Sequence, residues 1–178
     1  MASILRVDTI QPTGGPSITV PSSYNLLASG LVIQVKNINN NYNWGSWGSQ
    51  AEMEMPWMDI TLTAKGNNSS FFISAQMSTD DTNSAAYGIG IGAKYSTNGG
   101  TSWTWIRYPA LHENYDSGGI DHYRINAMTM TTDKLGVSAG TSMIFRPVSR
   151  FNNSNAQHFG GNGGLYYAQM HTIMEIAA

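Results

Sequence analysis

The chain has 178 residues and no cysteine, so it can bury a core without disulfides or metals and has no thiol nucleophile, thiolate zinc site or disulfide framework. Only 11% of residues are charged, against about a quarter in ordinary soluble domains, and the net charge is −2 with Lys and Arg scattered singly; this excludes the basic footprint of a nucleic-acid binder. No apolar run reaches the ~20 residues of a spanning helix, and Met1 to Val7 lack the regions of a signal peptide, so synthesis in the cytoplasm without membrane insertion is expected.

A surface so poor in charge has little self-repulsion to keep it soluble. Asn, Ser, Thr and Gly must cover it, or contacts with other copies must hide it.

In chain order, the first stretch stands apart. Ile4 to Ile10 alternates as a short strand, Pro12, Gly14, Gly15 and Pro16 interrupt it, and Ser17 to Pro21 makes a second brief strand. Two such strands cannot form a core alone. Residues 1–29 are therefore read as an extended arm that completes a sheet in a neighbouring subunit or partner, with Leu5, Val7, Thr9, Ile10, Ile18 and Val20 as its assembly residues. The alternative is an edge strand of the chain's own sandwich.

Residues 30–178 read as one β domain. In Pro56 to Thr63, Met58, Ile60 and Leu62 share one face while Asp59, Thr61 and Thr63 share the other. Similar runs are Leu31 to Asn37, Phe71 to Met77, Tyr87 to Tyr95, Trp103 to Tyr108, Tyr123 to Thr131, Ser142 to Arg150 and Leu165 to Ile176. Polar, Gly-containing clusters such as Asn37 to Asn43, Gly66 to Ser70 and Asn152 to Gly164 separate them. Short strands at this spacing predict an all-β, antiparallel, jelly-roll-like sandwich. Gly88, Gly90 and Gly92 alternate within one strand and mark a close approach, with Trp103 and Trp105 as candidates to cover it. The turn at Ser96 to Thr101 is expected to use Asn98-Gly99 for its positive φ angles. Ser96 to Trp103 also resembles the Asp-box of sialidases and other propellers, with Asn98 for Asp; there the box is a structural hairpin.

No arrangement makes a catalytic case. His112, Glu113, Asp116, Asp121 and His122 offer metal-ligand atoms, but their spacing matches neither HExxH nor an EF-hand. Glu52 and Glu54 flank Met53 without a partner carboxylate elsewhere. His158 and His171 stand alone, and no nucleophile elbow, phosphate loop or dinucleotide fingerprint occurs. No catalytic residue, metal ligand or cofactor is assigned, and a tailspike-like depolymerase is the enzymatic alternative. Aromatics among Asn and Gly are more suggestive. Tyr42, Trp44, Trp47, Trp57, Tyr108 and Tyr115 suit either a sugar-contacting surface or an interface or core.

The two ends carry a resemblance. Leu5-Arg6-Val7-Asp8-Thr9-Ile10-Gln11, Gly14-Gly15 and Ser17 to Pro21 resemble the "lxVDTIQ…GG…itiP" opening of tail-fibre-like and virion structural proteins of tailed phages. His171 to Ala178 is similar to their closing "STITLMEIA" strand, with His171 where Ser is usual, and Gly30 to Val35 resembles their "GkVlQvv" strand. Ile60 to Thr63 and Phe71 to Ser74 match more loosely, and residues 39–149 are matched in strand pattern alone. The resemblance implies a non-enzymatic homotrimer on the virion surface, assembled in the host cytoplasm with other virion proteins. One role is a short tail-fibre or baseplate component contacting host surface carbohydrate. The other is a capsid decoration protein that stabilises the head. No shaft-building repeat is present, so a compact body is expected in either case.

Overall fold

The computed structural model describes residues 29–40, 46–47, 52–81, 87–109, 112–114, 122–151, 157–159 and 169–178. Its strands are β1 (Val32–Asn40), β2 (Ser46–Trp47), β3 (Glu52–Glu54), β4 (Ile60–Thr63), β5 (Ser70–Asp81), β6 (Tyr87–Ser96), β7 (Thr104–Arg107), β8 (His112–Asn114), β9 (His122–Thr131), β10 (Ser142–Phe151), β11 (Gln157–Phe159) and β12 (Gln169–Ile176).

Two antiparallel sheets result. In the first, β12 lies between β1 and β5, and β9 takes the other edge of β5; β11 continues the line of β12 along β5 and pairs with β2. In the second, β10 pairs with β6, β4 and β3 share the far edge of β10, and β7 and β8 share the far edge of β6. The main order is therefore β1-β12-β5-β9 facing β4-β10-β6-β7. The first strand lies beside the last, and the chain crosses between the sheets from β2 to β3, from β4 through β5 to β6 and from β8 through β9 and β10 to β11. That connectivity is a jelly roll.

The core follows from alternation. Ile60 and Leu62 are buried while Thr61 and Thr63 are exposed, and β12 buries every second residue. The rings of Phe71 and Phe145 meet between the sheets with centroids 5.0 Å apart. Met55, Met58, Met77 and Met143 fill the irregular space around them, a role suited to an unbranched, adaptable side chain. At one side of the sandwich, β4 has an edge that pairs with no strand among the described residues, and two residues of β1 cover it. Gln34 Nε2 donates to the Thr63 carbonyl at 2.8 Å and Lys36 Nζ to the Thr61 carbonyl at 3.0 Å. These bonds satisfy edge carbonyls that another chain would otherwise pair with.

Local details depart from the sequence reading. β1 runs on to Asn40 through residues assigned to a polar spacer, because pairing with β12 continues to Asn40↔Gln169. Pro56–Met58 is a single 3-10 turn rather than the start of a strand, since proline has no N–H for a ladder. The Ser96 to Thr101 turn takes positive φ at Gly99 and Gly100, not at Asn98. Asn98 serves as its hub instead: Oδ1 accepts from Ser96 Oγ at 2.8 Å and from the Ser102 N–H at 3.0 Å, and Nδ2 donates to Ser102 Oγ at 2.8 Å. The arm residues Leu5, Val7, Thr9, Ile10, Ile18 and Val20 lie outside the described residues.

Gly92 marks a close approach, but main chain rather than tryptophan covers it. A Cβ there would lie 2.3 Å from the Arg107 carbonyl oxygen and 2.7 Å from Pro109. Gly92→Ala is expected to lower stability by about 1–3 kcal/mol, read as a lower urea midpoint, because the obstructing atoms are backbone and ring rather than a flexible tip. An unchanged midpoint would contradict the packing described.

Candidate functional site

Two sites concentrate polar chemistry. The first joins the segments that open and close the sandwich. Glu175 on β12 is fully buried, and its carboxylate accepts from Gln34 Nε2, from the Lys65 N–H at 2.9 and 3.0 Å, from the Gly66 N–H at 2.9 Å and from Ser69 Oγ at 2.7 Å. Gly66 lets the loop close, since a Cβ would lie 2.6 Å from Ser69 Oγ. The donors are uncharged and surround both oxygens, so this carboxylate ties β1, β12 and the loop after β4 together.

His171, two pairs along β12, is also buried. Its Nδ1 lies 2.7 Å from the Met58 carbonyl, to which it donates, and among the described residues its Nε2 has no hydrogen-bond partner. Burial pushes its pKa below the ordinary value, against the opposing pull of the Met58 carbonyl and Asp59. The bond with Met58 makes it a brace between β12 and the Pro56–Met58 turn.

The second site is the outer face of the β4-β10-β6-β7 sheet. Lys94 of β6 stands opposite Arg146 of β10. Glu54 pairs with both, its Oε2 2.6 Å from Arg146 Nη1, while Asp59 holds Arg146 through two bonds of 2.7 and 2.6 Å. The bond from Lys94 holds the Glu54 carboxyl below its usual range, and Asp59 raises the Arg146 pKa further. Trp103 lies against these cations, its ring centroid 4.7 Å from Lys94 Nζ and 4.3 Å from Arg146 Cζ. Beside this array Trp105 and Tyr108 meet edge to face, 5.1 Å apart. The Glu52 carboxylate raises the Tyr108 pKa above the ordinary value, and Arg150 lies 5.3 Å from its ring.

Of the aromatics singled out in the sequence, Tyr108 is exposed in this second site. Trp57 packs half-buried against the core and donates from Nε1 to Gln169 Oε1 at 2.9 Å. Trp47 belongs to β2, paired with β11, and Tyr42, Trp44 and Tyr115 lie outside the described residues. His112 and His122 fall on strands of different sheets, and among the described residues no three His, Asp or Glu side chains gather to hold a metal. Glu52 and Glu54 are engaged by Tyr108 and by the cations. Sequence reading missed the ionic array, whose members come from four separate segments. The alternation of Trp103 and Trp105 was its one local signal.

Two measurements test these assignments. Glu175→Gln places an amide donor among donors and is expected to cost about 2–4 kcal/mol in denaturant unfolding. For His171, an unfolded chain takes up the proton near the ordinary pKa of 6.5 while the folded protein resists it. Its contribution is thus fully present above that pH and is lost as pH falls through it. Between about pH 7.5 and about pH 5.5 the unfolding midpoint should fall, and His171→Asn, which keeps a donor for Met58 but does not titrate, should flatten the slope. An equal slope in both proteins would remove His171 as its source.

No family model and no curated protein matches the chain. Among solved structures, the Eiger TNF of S. frugiperda is similar at 10% identity, over 80% of this chain and 93% of that one, with a TM-score of 0.47. The jelly-roll assignment rests on the strand order itself and draws nothing from that likeness.

Proposed function

We propose that the protein is a non-enzymatic structural component of a tailed-phage particle: a short trimeric tail-fibre or baseplate-associated protein that contacts host polysaccharide. The observation that carries this reading is the pairing of two of the segments that bear the resemblance. The Gly30 to Val35 and His171 to Ala178 segments, which resemble phage virion proteins, become the neighbouring strands β1 and β12. Their Gln34 and Glu175 side chains close the buried network of the sandwich. Residues that define the resemblance are thus residues the fold requires.

Self-association is supported by the outer side of the same strands. Leu31, Val32, Val35 and Met170 are exposed there, and among the described residues β1 pairs with β12 alone. Exposed apolar side chains beside an open strand edge favour contact with further chain. Lys94, Arg146, Glu54 and Asp59 on the second sheet are tied into ion pairs, which agrees with a structural or binding role better than with hydrolysis. The compact single sandwich gives the second reading, a trimeric capsid decoration protein, its support.

Gold-labelled antibody on intact particles from the source culture is expected to mark the tail tip or baseplate. Label on head facets selects decoration, and no label on any particle overturns the virion reading. Native mass spectrometry should give the mass of three chains, and a monomer would refute the trimer. Removing residues 1–21 is expected to leave a folded sandwich that no longer enters particles; unchanged incorporation would refute the arm.

A further inference from the structure

The two-ring corner on the second sheet has no role in assembly or packing as described. Trp105 and Tyr108 are 38% and 46% exposed, with their rings at 69° to one another. Burying them elsewhere would be favourable, so their exposure calls for a contact that uses them.

Their placement is fixed before any ligand arrives. Trp105 stands on β7 opposite Lys94 of β6, which lies 5.8 Å from its ring. Tyr108 sits in the segment whose main chain crosses Gly92 in close contact, so backbone packing sets its distance from Trp105. Glu52 and Arg150 stand opposite one another on β3 and β10, and Arg150 lies beside the Tyr108 ring, which orients it. Little side-chain entropy remains to be lost on binding.

Size and polarity select the ligand class. Two rings offer far less than the roughly 800 Å² per partner of a stable protein interface. Flat apolar faces rimmed by a carboxylate and a guanidinium complement a pyranose, whose C–H faces are apolar and whose hydroxyls ring the edge. A nucleobase would stack equally well, but its phosphates need free cations. Lys94 and Arg146 are neutralised by Glu54 and Asp59, Arg150 at the rim stands opposite the Glu52 carboxylate, which would repel a phosphate, and the net charge is −2.

We infer that Trp105 and Tyr108 form a binding corner for one neutral pyranose unit of a polysaccharide, stacked on one ring and flanked by the other, with Glu52 and Arg150 hydrogen-bonding its hydroxyls. This names the site and ligand class for the host contact in the preceding reading, and it rests on that reading for the source of the sugar.

Nuclear magnetic resonance on the full chain tests it, with the Trp105 indole N–H signal assigned by Trp105→Phe. Maltohexaose, cellohexaose and mannohexaose are titrated separately. At least one is expected to shift the Trp105 indole and Tyr108 amide signals saturably while leaving the Trp57 indole unmoved. Trp105→Ala and Tyr108→Ala should each weaken that binding about tenfold, the equivalent of one lost stacking ring, while Trp105→Phe retains most of it. Both rings are exposed, so the alanine variants should keep the wild-type amide spectrum. No saturable shift with any of the three sugars, or binding indifferent to both alanine variants, overturns the inference. Particle labelling fails or succeeds independently: label without sugar binding leaves the virion reading standing and removes this site.

Discussion

A carboxylate taken wholly out of water has to be met by donors, and Glu175 dictates much of the structure around it. Desolvation of an isolated charge costs several kcal/mol or more, so the fold forms where donors converge. Gln34 brings one from β1, and Lys65, Gly66 and Ser69 bring three from the loop after β4. Because β1 and β12 belong to one sheet and β4 to the other, the network pins both sheets at one side of the sandwich. Gln34 adds a second tie, since its Nε2 also donates to the Thr63 carbonyl. The first strand is thereby locked beside the last, which is the closure a jelly roll needs.

The second sheet handles charge differently. Lys94, Arg146, Glu54 and Asp59 form a linked array with Trp103 against it, on a face where a directly opposed Lys–Arg pair would otherwise be repulsive. Few charged residues are available in this chain, and a large share of them is gathered on this one face. The array gives the outer face order without giving it net charge. Trp105 and Tyr108 lie beside it, both partly exposed to solvent. The crossing of Arg107 and Pro109 over Gly92 sets the main-chain path between these two rings.

The two outer faces differ in chemistry. The first sheet carries the first and last of the described strands, the buried carboxylate and, among the described residues, an edge of β1 without a partner strand beside exposed apolar residues. The second carries the ion-paired array and the exposed rings of Trp105 and Tyr108. A sandwich can carry two such different faces because its core needs neither of them.

Much of the architecture was legible in the sequence because burial in a strand has period two. Met58, Ile60 and Leu62, or Phe71, Ile73 and Ala75, announce a half-buried strand without any knowledge of its neighbours, and the Gly92 position announces a close approach. The very short strands β2, β3, β8 and β11 were not legible, since two or three residues show no period. The extension of β1 through Asn37 to Asn40 was hidden too, because composition there argues for a turn and only pairing with β12 overrides it. What sequence alone determined is the all-β class, the alternating core and the terminal signatures, because these depend on residues adjacent in the chain. The tertiary structure alone decided that Gln34 meets Glu175, that Lys94 and Arg146 share Glu54, and that Trp105 and Tyr108 meet edge to face. Those contacts arise from strand pairings between distant segments, and no local pattern encodes the register that brings them together.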